Sequence, residues 1–177
     1  NAADEKPLKI CIFTATGDTY ELTATIESSG TAIYSISYND LDGDGRTVLV
    51  VGWRVGTELQ ALTVYALRPD GPTELLRTDY VKYGIVDLDE NQMEDLVVLR
   101  SLPDGEGCAE YYVWQDGGLV SRSMARVSMT MAELSQQGRL TQGTLRGGEP
   151  ALFVTGVVES AQTVTDILAM RNGELTN

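Results

Sequence analysis

Histidine is absent from all 177 residues. With it go the Ser-His-Asp and Cys-His nucleophile systems, and any zinc or non-haem iron site held through imidazole. Cysteine is scarce, and the two present, Cys11 and Cys108, form neither a CxxC pair nor a ligand cluster. Both lie in strand-like runs where cysteine acts as a small apolar side chain, so two buried thiols are expected rather than a disulfide. Positive charge is also short. Thirteen Lys and Arg face 26 Asp and Glu, a formal charge of −13, which opposes binding to nucleic acid or anionic membranes. No apolar run approaches the roughly 20 residues of a membrane-spanning helix. P-loop, GxSxG and GxGxxG patterns are missing. What remains to an acidic, histidine-free chain is carboxylate chemistry: acid–base pairs, or hard cations bound through oxygen.

Hydrophobic residues make up 42% of the chain, enough for a real core, and the length favours a single domain over 1–177. The pattern is nearly all β. Tyr20, Leu22, Ala24 and Ile26 alternate with Glu21, Thr23, Thr25 and Glu27, the period of a half-buried strand. Further strand-like runs follow to the end of the chain, separated by Pro69-Asp70-Gly71, Pro103-Asp104-Gly105, Asp116-Gly117-Gly118 and Asn172-Gly173 turns. One short helix is predicted near 131–137. Thr130 and Glu133 form a capping box at its start, and Gly138 ends it. The glycine-rich stretch from Gln136 to Glu149 reads as a long loop or subdomain boundary.

An internal repeat emerges when the chain is slid by about 47 residues. Asp40-Leu41-Asp42 falls on Asp87-Leu88-Asp89, Leu49-Val50-Val51 on Leu96-Val97-Val98, Tyr65 on Tyr112 and Gly71 on Gly118. Each copy reads strand, aspartate-rich loop, strand, turn, strand, glycine turn, strand. Four strands in roughly 40–50 residues is the size of one β-propeller blade. The copies span about 31–77 and 78–124. A degenerate copy is expected over about 150–177, where Thr165-Asp166-Ile167-Leu168 resembles Glu94-Asp95-Leu96-Val97 without the upstream aspartates. It is not expected to bind metal.

The aspartate loops are the candidate site. Asp40, Asp42 and Asp44 occupy loop positions 1, 3 and 5, Gly45 stands at position 6, and the Arg46 carbonyl would be the position-7 ligand. Calcium takes 6–8 oxygens, and a sharp turn at position 6 lets a short loop wrap around it. The second loop offers Asp87, Asp89 and Asn91 at 1, 3 and 5, the Met93 carbonyl at 7 and Asp95 at 9. The first loop lacks an acid at position 9 (Val48); the second lacks glycine at position 6 (Gln92). The second is therefore better in ligands and the first in turn geometry. Neither is an EF-hand, because the flanks are β-like and position 12 of the first loop is Val51. Asp-Gly loops also occur as metal-free turns in which Asp caps its own backbone.

These residues resemble the FG-GAP/VCBS repeat family of integrin-α-like β-propellers and bacterial surface proteins, whose pattern is roughly DxDGDGxxDLVV. Asp40–Val51 matches it apart from Val48, and Asp87–Val98 apart from Glu90, Asn91 and Gln92. The resemblance covers about half the chain. It implies propeller blades, calcium in the loop joining the first two strands of a blade, and an exported or surface location, without implying catalysis. Two clear copies fall short of a complete propeller, so the chain is expected to be part of a longer protein. It opens on Asn1-Ala2-Ala3 with neither Met nor a signal-type apolar core, so any export signal or lipid anchor would lie in a missing N-terminal segment.

Three functions follow as expectations. The first is a non-catalytic, calcium-stabilised module of a surface protein that binds an unidentified protein or glycan. The second is a fragment of a carbohydrate-active enzyme with paired carboxylates. The third is a metal-free structural domain whose loops have decayed. Trp53, Tyr65, Tyr112 and Trp114 are read as packing rather than a sugar-stacking face, and Met124, Met129 and Met131 likewise. Asp104, Glu106 and Glu110 are read as a solvated acidic face.

Overall fold

A computed structural model describes residues 8–27, 29–43, 45, 48–57 and 59–177. The described chain is all-β apart from one short helix. The described chain gathers into two compact units. One gathers the first six strands. The other holds the loop that follows β3, then the rest of the chain from Asp79.

The first unit begins with a two-stranded ribbon, β1 (Lys9–Thr16) and β2 (Thr19–Glu27). The register shifts between Ile12 and Phe13, where Thr23 of β2 is the extra residue: Ile12 pairs with Ala24 and Phe13 with Leu22. Only the proximal half of the ribbon carries buried residues. Ile10 and Ile26 pack on Leu49, Val51, Trp53 and Tyr65, whereas Phe13, Tyr20 and Leu22 are exposed. The alternation that turns Ile10 inward turns Cys11 outward. Cys11 is exposed, against the expectation of two buried thiols, while Cys108 is buried; neither forms a disulfide. A four-stranded sheet follows in the order β3 (Ala32–Asn39), β4 (Val48–Arg54), β5 (Gln60–Arg68), β6 (Gly71–Asp79).

The second unit carries two more four-stranded sheets. One runs β7 (Lys82–Val86), β8 (Asp95–Ser101), β9 (Gly107–Gln115), β10 (Gly118–Arg126). Its last three strands begin and end 47 residues after β4, β5 and β6. The register carries over too: Leu49 pairs with Tyr65 as Leu96 pairs with Tyr112. In both sheets the second strand, β4 or β8, is buried along nearly its whole length, as expected of a strand flanked on both edges and covered on both faces.

Helix α1 (Met131–Gln137) follows, with Thr130 as N-cap accepting from the Glu133 amide. Its buried Met131 and Leu134 join Val97, Leu99, Tyr111, Leu152 and Leu168 in one core. Met129 is buried in the same core, but Met124 is exposed, because it lies on the outer strand β10. The third sheet runs β11 (Arg139–Thr144), β12 (Pro150–Val157), β13 (Thr163–Arg171), β14 (Glu174–Thr176). The expected loop over 136–149 thus contains a strand. Gly143 in β11 is a packing glycine: a Cβ there would lie 2.8 Å from the Phe153 ring.

Candidate metal centre

Asp87 and Asp89 lie in the turn that follows β7, and Asp95 opens β8. One carboxylate oxygen from each of Asp87, Asp89 and Asp95 lies within 4.8 Å of the others. The backbone builds this cluster by bonding to the aspartates. Asp87 accepts the Asn91 amide at 3.1 Å through Oδ1 and the Gln92 amide at 2.8 Å through Oδ2. Asp89 Oδ1 also accepts from the Asn91 amide, at 3.2 Å, and Asn91 Oδ1 accepts the Met93 amide at 2.7 Å. Leu88, between the two aspartates, is buried and plugs the loop into the core.

Two residues take unusual backbone conformations to close this turn. Glu90 has φ 60° and Gln92 φ 71°, in the left-handed region where a Cβ is disfavoured. The first loop places glycines at the equivalent positions, Gly43 at φ 68° and Gly45 at φ 78°. It also repeats a hydrogen bond: the Gly45 amide donates to Asp40 Oδ2 at 3.1 Å, as Gln92 does to Asp87. Leu41 is buried as Leu88 is. At these described positions the two loops share backbone conformation, with glycines removing the strain in one and not in the other.

The ligand inventories differ. Asp95 is buried, accepting from the Tyr111 hydroxyl at 2.6 Å through Oδ2 and also from the Leu88 backbone. Burial, with the neighbouring charges of Asp89 and Asp87, pushes its pKa up to about 6; the Tyr111 hydroxyl is pushed up as well, by burial and by Asp95. At the matching position of the first loop stands the buried Val48. Asp40 and Asp42 lie in the described part of that loop, while Asp44 and Arg46 lie outside the described residues. Among the described residues, three acidic groups come together only in the second loop.

The cluster offers anionic oxygen and nothing softer. That donor set suits a hard divalent cation, and a cation would favour the charged form of Asp95, which burial first and then Asp89 and Asp87 now disfavour. Asp87, Asp89, Asn91, the Met93 carbonyl and Asp95 are the groups that would hold it. A cleft of about 280 Å³ adjoins the loop, lined by Leu88, Asp89 and Glu90 on one side and by Glu149, Met170 and Arg171 among others on the opposite side. Glu149 is paired there with Arg171 at 2.7 Å.

Other acidic residues singled out in the sequence have structural partners. Asp166 sits on β13, the third strand of its sheet, whereas Asp95 opens the second strand of its own. The proposed equivalence of the two is therefore wrong in register. Asp166 is buried and accepts from the Ser128 amide at 2.7 Å and its hydroxyl at 2.6 Å. The turn between β11 and β12 is closed by Leu145 and Glu149 backbone groups and carries no aspartate. Glu110 is not part of a solvated face: it bonds Arg100 and Ser121, each at 2.6 Å. Burial opposes its charge, but these bonds outweigh that and hold its pKa below the usual value. Asp104 and Glu106 both pair with Arg126. Trp53, Tyr65 and Tyr112 are buried, so they present no stacking face; Trp53 Nε1 donates to Thr63 Oγ1 at 2.7 Å. No helix among the described residues is long and apolar enough to cross a membrane. No protein-family model matches this chain, and no curated protein sequence matches it.

Proposed function

We propose that this chain is a non-catalytic, calcium-binding module of propeller-type blades from an exported or cell-surface protein of the FG-GAP/VCBS kind. The observation that carries the reading is the convergence of Asp87, Asp89 and Asp95 within 4.8 Å in a turn held open by its own amides. The cation acts as a structural clip. It offsets most of the charge of three carboxylates, one of them buried, and fixes the turn that delivers β8 into the core. Because the ion binds only the folded loop, it stabilises by RT ln(1 + [L]/Kd), roughly 3 kcal/mol at one hundred times Kd. Extracellular millimolar calcium makes even a weak site useful, which fits an exported location. Recognition of a protein or glycan partner is then a task for another face.

Isothermal titration with calcium tests the reading. The wild-type chain is expected to bind with a site that disappears in Asp87→Ala and in Asp95→Asn. Binding that survives both substitutions, or no binding by the wild-type chain, would leave the metal-free structural domain as the better account.

A further inference from the structure

We propose that β3 is a self-association strand: two copies of the chain pair their β3 edges antiparallel, about a two-fold axis at Ile36. This surface is independent of the aspartate loops.

Strand β3 stands at one end of its sheet, so one of its edges pairs with no strand among the described residues. An open edge is a template for another strand unless charge, proline or a covering element blocks it. The first strands of the other two sheets are blocked. β7 begins with Lys82 and β11 with Arg139. These two strands also lie against each other, with Leu140 packed on Gly84 and Gln142 Nε2 donating to the Ile85 carbonyl. The sequence of β3 carries no such protection. No charged residue stands between Glu27 and Asp40, and neither proline nor glycine interrupts Ala32–Asn39.

Alternation puts Tyr34, Ile36 and Tyr38 on one face of β3, where they are 55%, 44% and 58% exposed. Ile33, on the opposite face, packs against the core of its unit. The exposed stripe complements itself, which makes a second copy its partner. Tyr34-Ser35-Ile36-Ser37-Tyr38 reads the same in both directions. An antiparallel pairing centred on Ile36 sets Ile36 against Ile36, Ser35 against Ser37 and Tyr34 against Tyr38 of the second copy, the self-complementarity that a two-fold interface requires. Two aromatic cross-strand pairs result. Each copy carries a formal charge of −13, and this strand brings no like charges together. With aromatic side chains covering about 150–250 Å² each, the stripe leaves roughly 300 Å² of side chain open per copy. Twice that is below the ~1,200 Å² of a stable interface, so the dimer is weak and reversible, held also by backbone bonds between the strands.

Sedimentation equilibrium of the full chain tests this, in reductant so that the exposed Cys11 forms no cross-link. The wild-type chain is expected to show a monomer–dimer equilibrium with a micromolar Kd. Ile36→Lys sets like charges face to face on the axis and should weaken association at least about tenfold. Tyr34→Lys with Tyr38→Glu sets opposite charges together at both ends of the pairing. That variant should dimerise at least about tenfold more tightly than Tyr34→Lys with Tyr38→Lys. All three side chains lie outside the core, so these substitutions leave the fold of the single copy intact. A wild-type chain that stays monomeric at millimolar concentration, a dimer indifferent to Ile36→Lys, or equal association by the two double variants would each overturn the proposal.

Discussion

Replacing Asp95 by Asn should make the metal-free protein more stable at neutral pH while abolishing its response to calcium. Asp95 is buried, and its pKa rises from 3.8 to about 6, through burial first and then through Asp89 and Asp87. A carboxyl that holds its proton more tightly in the folded state costs stability when it ionises. Metal-free stability should therefore fall as pH rises from about 4 through about 6, then level off. A shift of about two units at 1.36 kcal/mol each puts the cost near 3 kcal/mol at pH 7. Asparagine carries no charge and still accepts from Tyr111, but it cannot also accept from Leu88, a loss of about 1 kcal/mol. The net expectation is a gain of roughly 2 kcal/mol at pH 7.5, about 4–8 °C in Tm for a chain of this size. At pH 4, where Asp95 is already largely protonated, the variant should be no more stable than the wild type. Urea unfolding at both pH values in chelator measures this. A variant that is less stable than wild type by the same margin at both pH values would refute the reasoning, because it would show Asp95 to be uncharged or fully compensated.

Glu90→Gly and Gln92→Gly relieve left-handed strain and should each stabilise the metal-free protein by about 0.5–1 kcal/mol in urea unfolding, the αL penalty less the extra chain entropy of glycine. Gly45→Ala, at φ 78° with open space around it, should cost about 1 kcal/mol by the same argument in reverse. Tyr111→Phe removes the hydroxyl bonded to the buried Asp95 and should cost about 1–3 kcal/mol at pH 7.5; it should also raise the Asp95 pKa further, seen as a fall in stability with pH that still begins near pH 4 but levels off at a higher pH. Thr130→Ala should cost about 1 kcal/mol through loss of the α1 cap, read as a lower Tm with unchanged calcium affinity.

The parts of the fold legible in the sequence are those where one local rule acts strongly. Val48–Trp53 and Leu96–Leu99 are apolar runs bounded by turns, and both are buried strands. Thr130 and Glu133 satisfy each other's backbone amides whatever surrounds them, so α1 was predictable from four residues. The loops share residues at a constant offset, and Gly43 and Gly45 adopt the same left-handed conformation as Glu90 and Gln92. What was hidden depends on partners distant in sequence. Strand β11 is exposed along nearly all its length, with only Leu140 and the turn to β12 to mark it. Asp166 looked like Asp95 because each is an aspartate followed by two aliphatic residues, but Ser128, 38 positions earlier, determines its role. Cys11 sits in an apolar run, and Tyr20 and Leu22 share the alternation of Ile26, yet these and Phe13 are exposed. Alternation identifies a common face and does not say what covers it. The gathering of Asp87, Asp89 and Asp95 was readable from spacing, while the burial of Asp95 against Tyr111 was not.

Thermal melting of the full chain in chelator, in millimolar calcium and in millimolar magnesium tests the central claim most directly. The account predicts a rise of several degrees with calcium, a smaller rise with magnesium, which sheds its water reluctantly, and no rise with either ion in Asp95→Asn. Superimposable melts of the wild-type chain under all three conditions would contradict it.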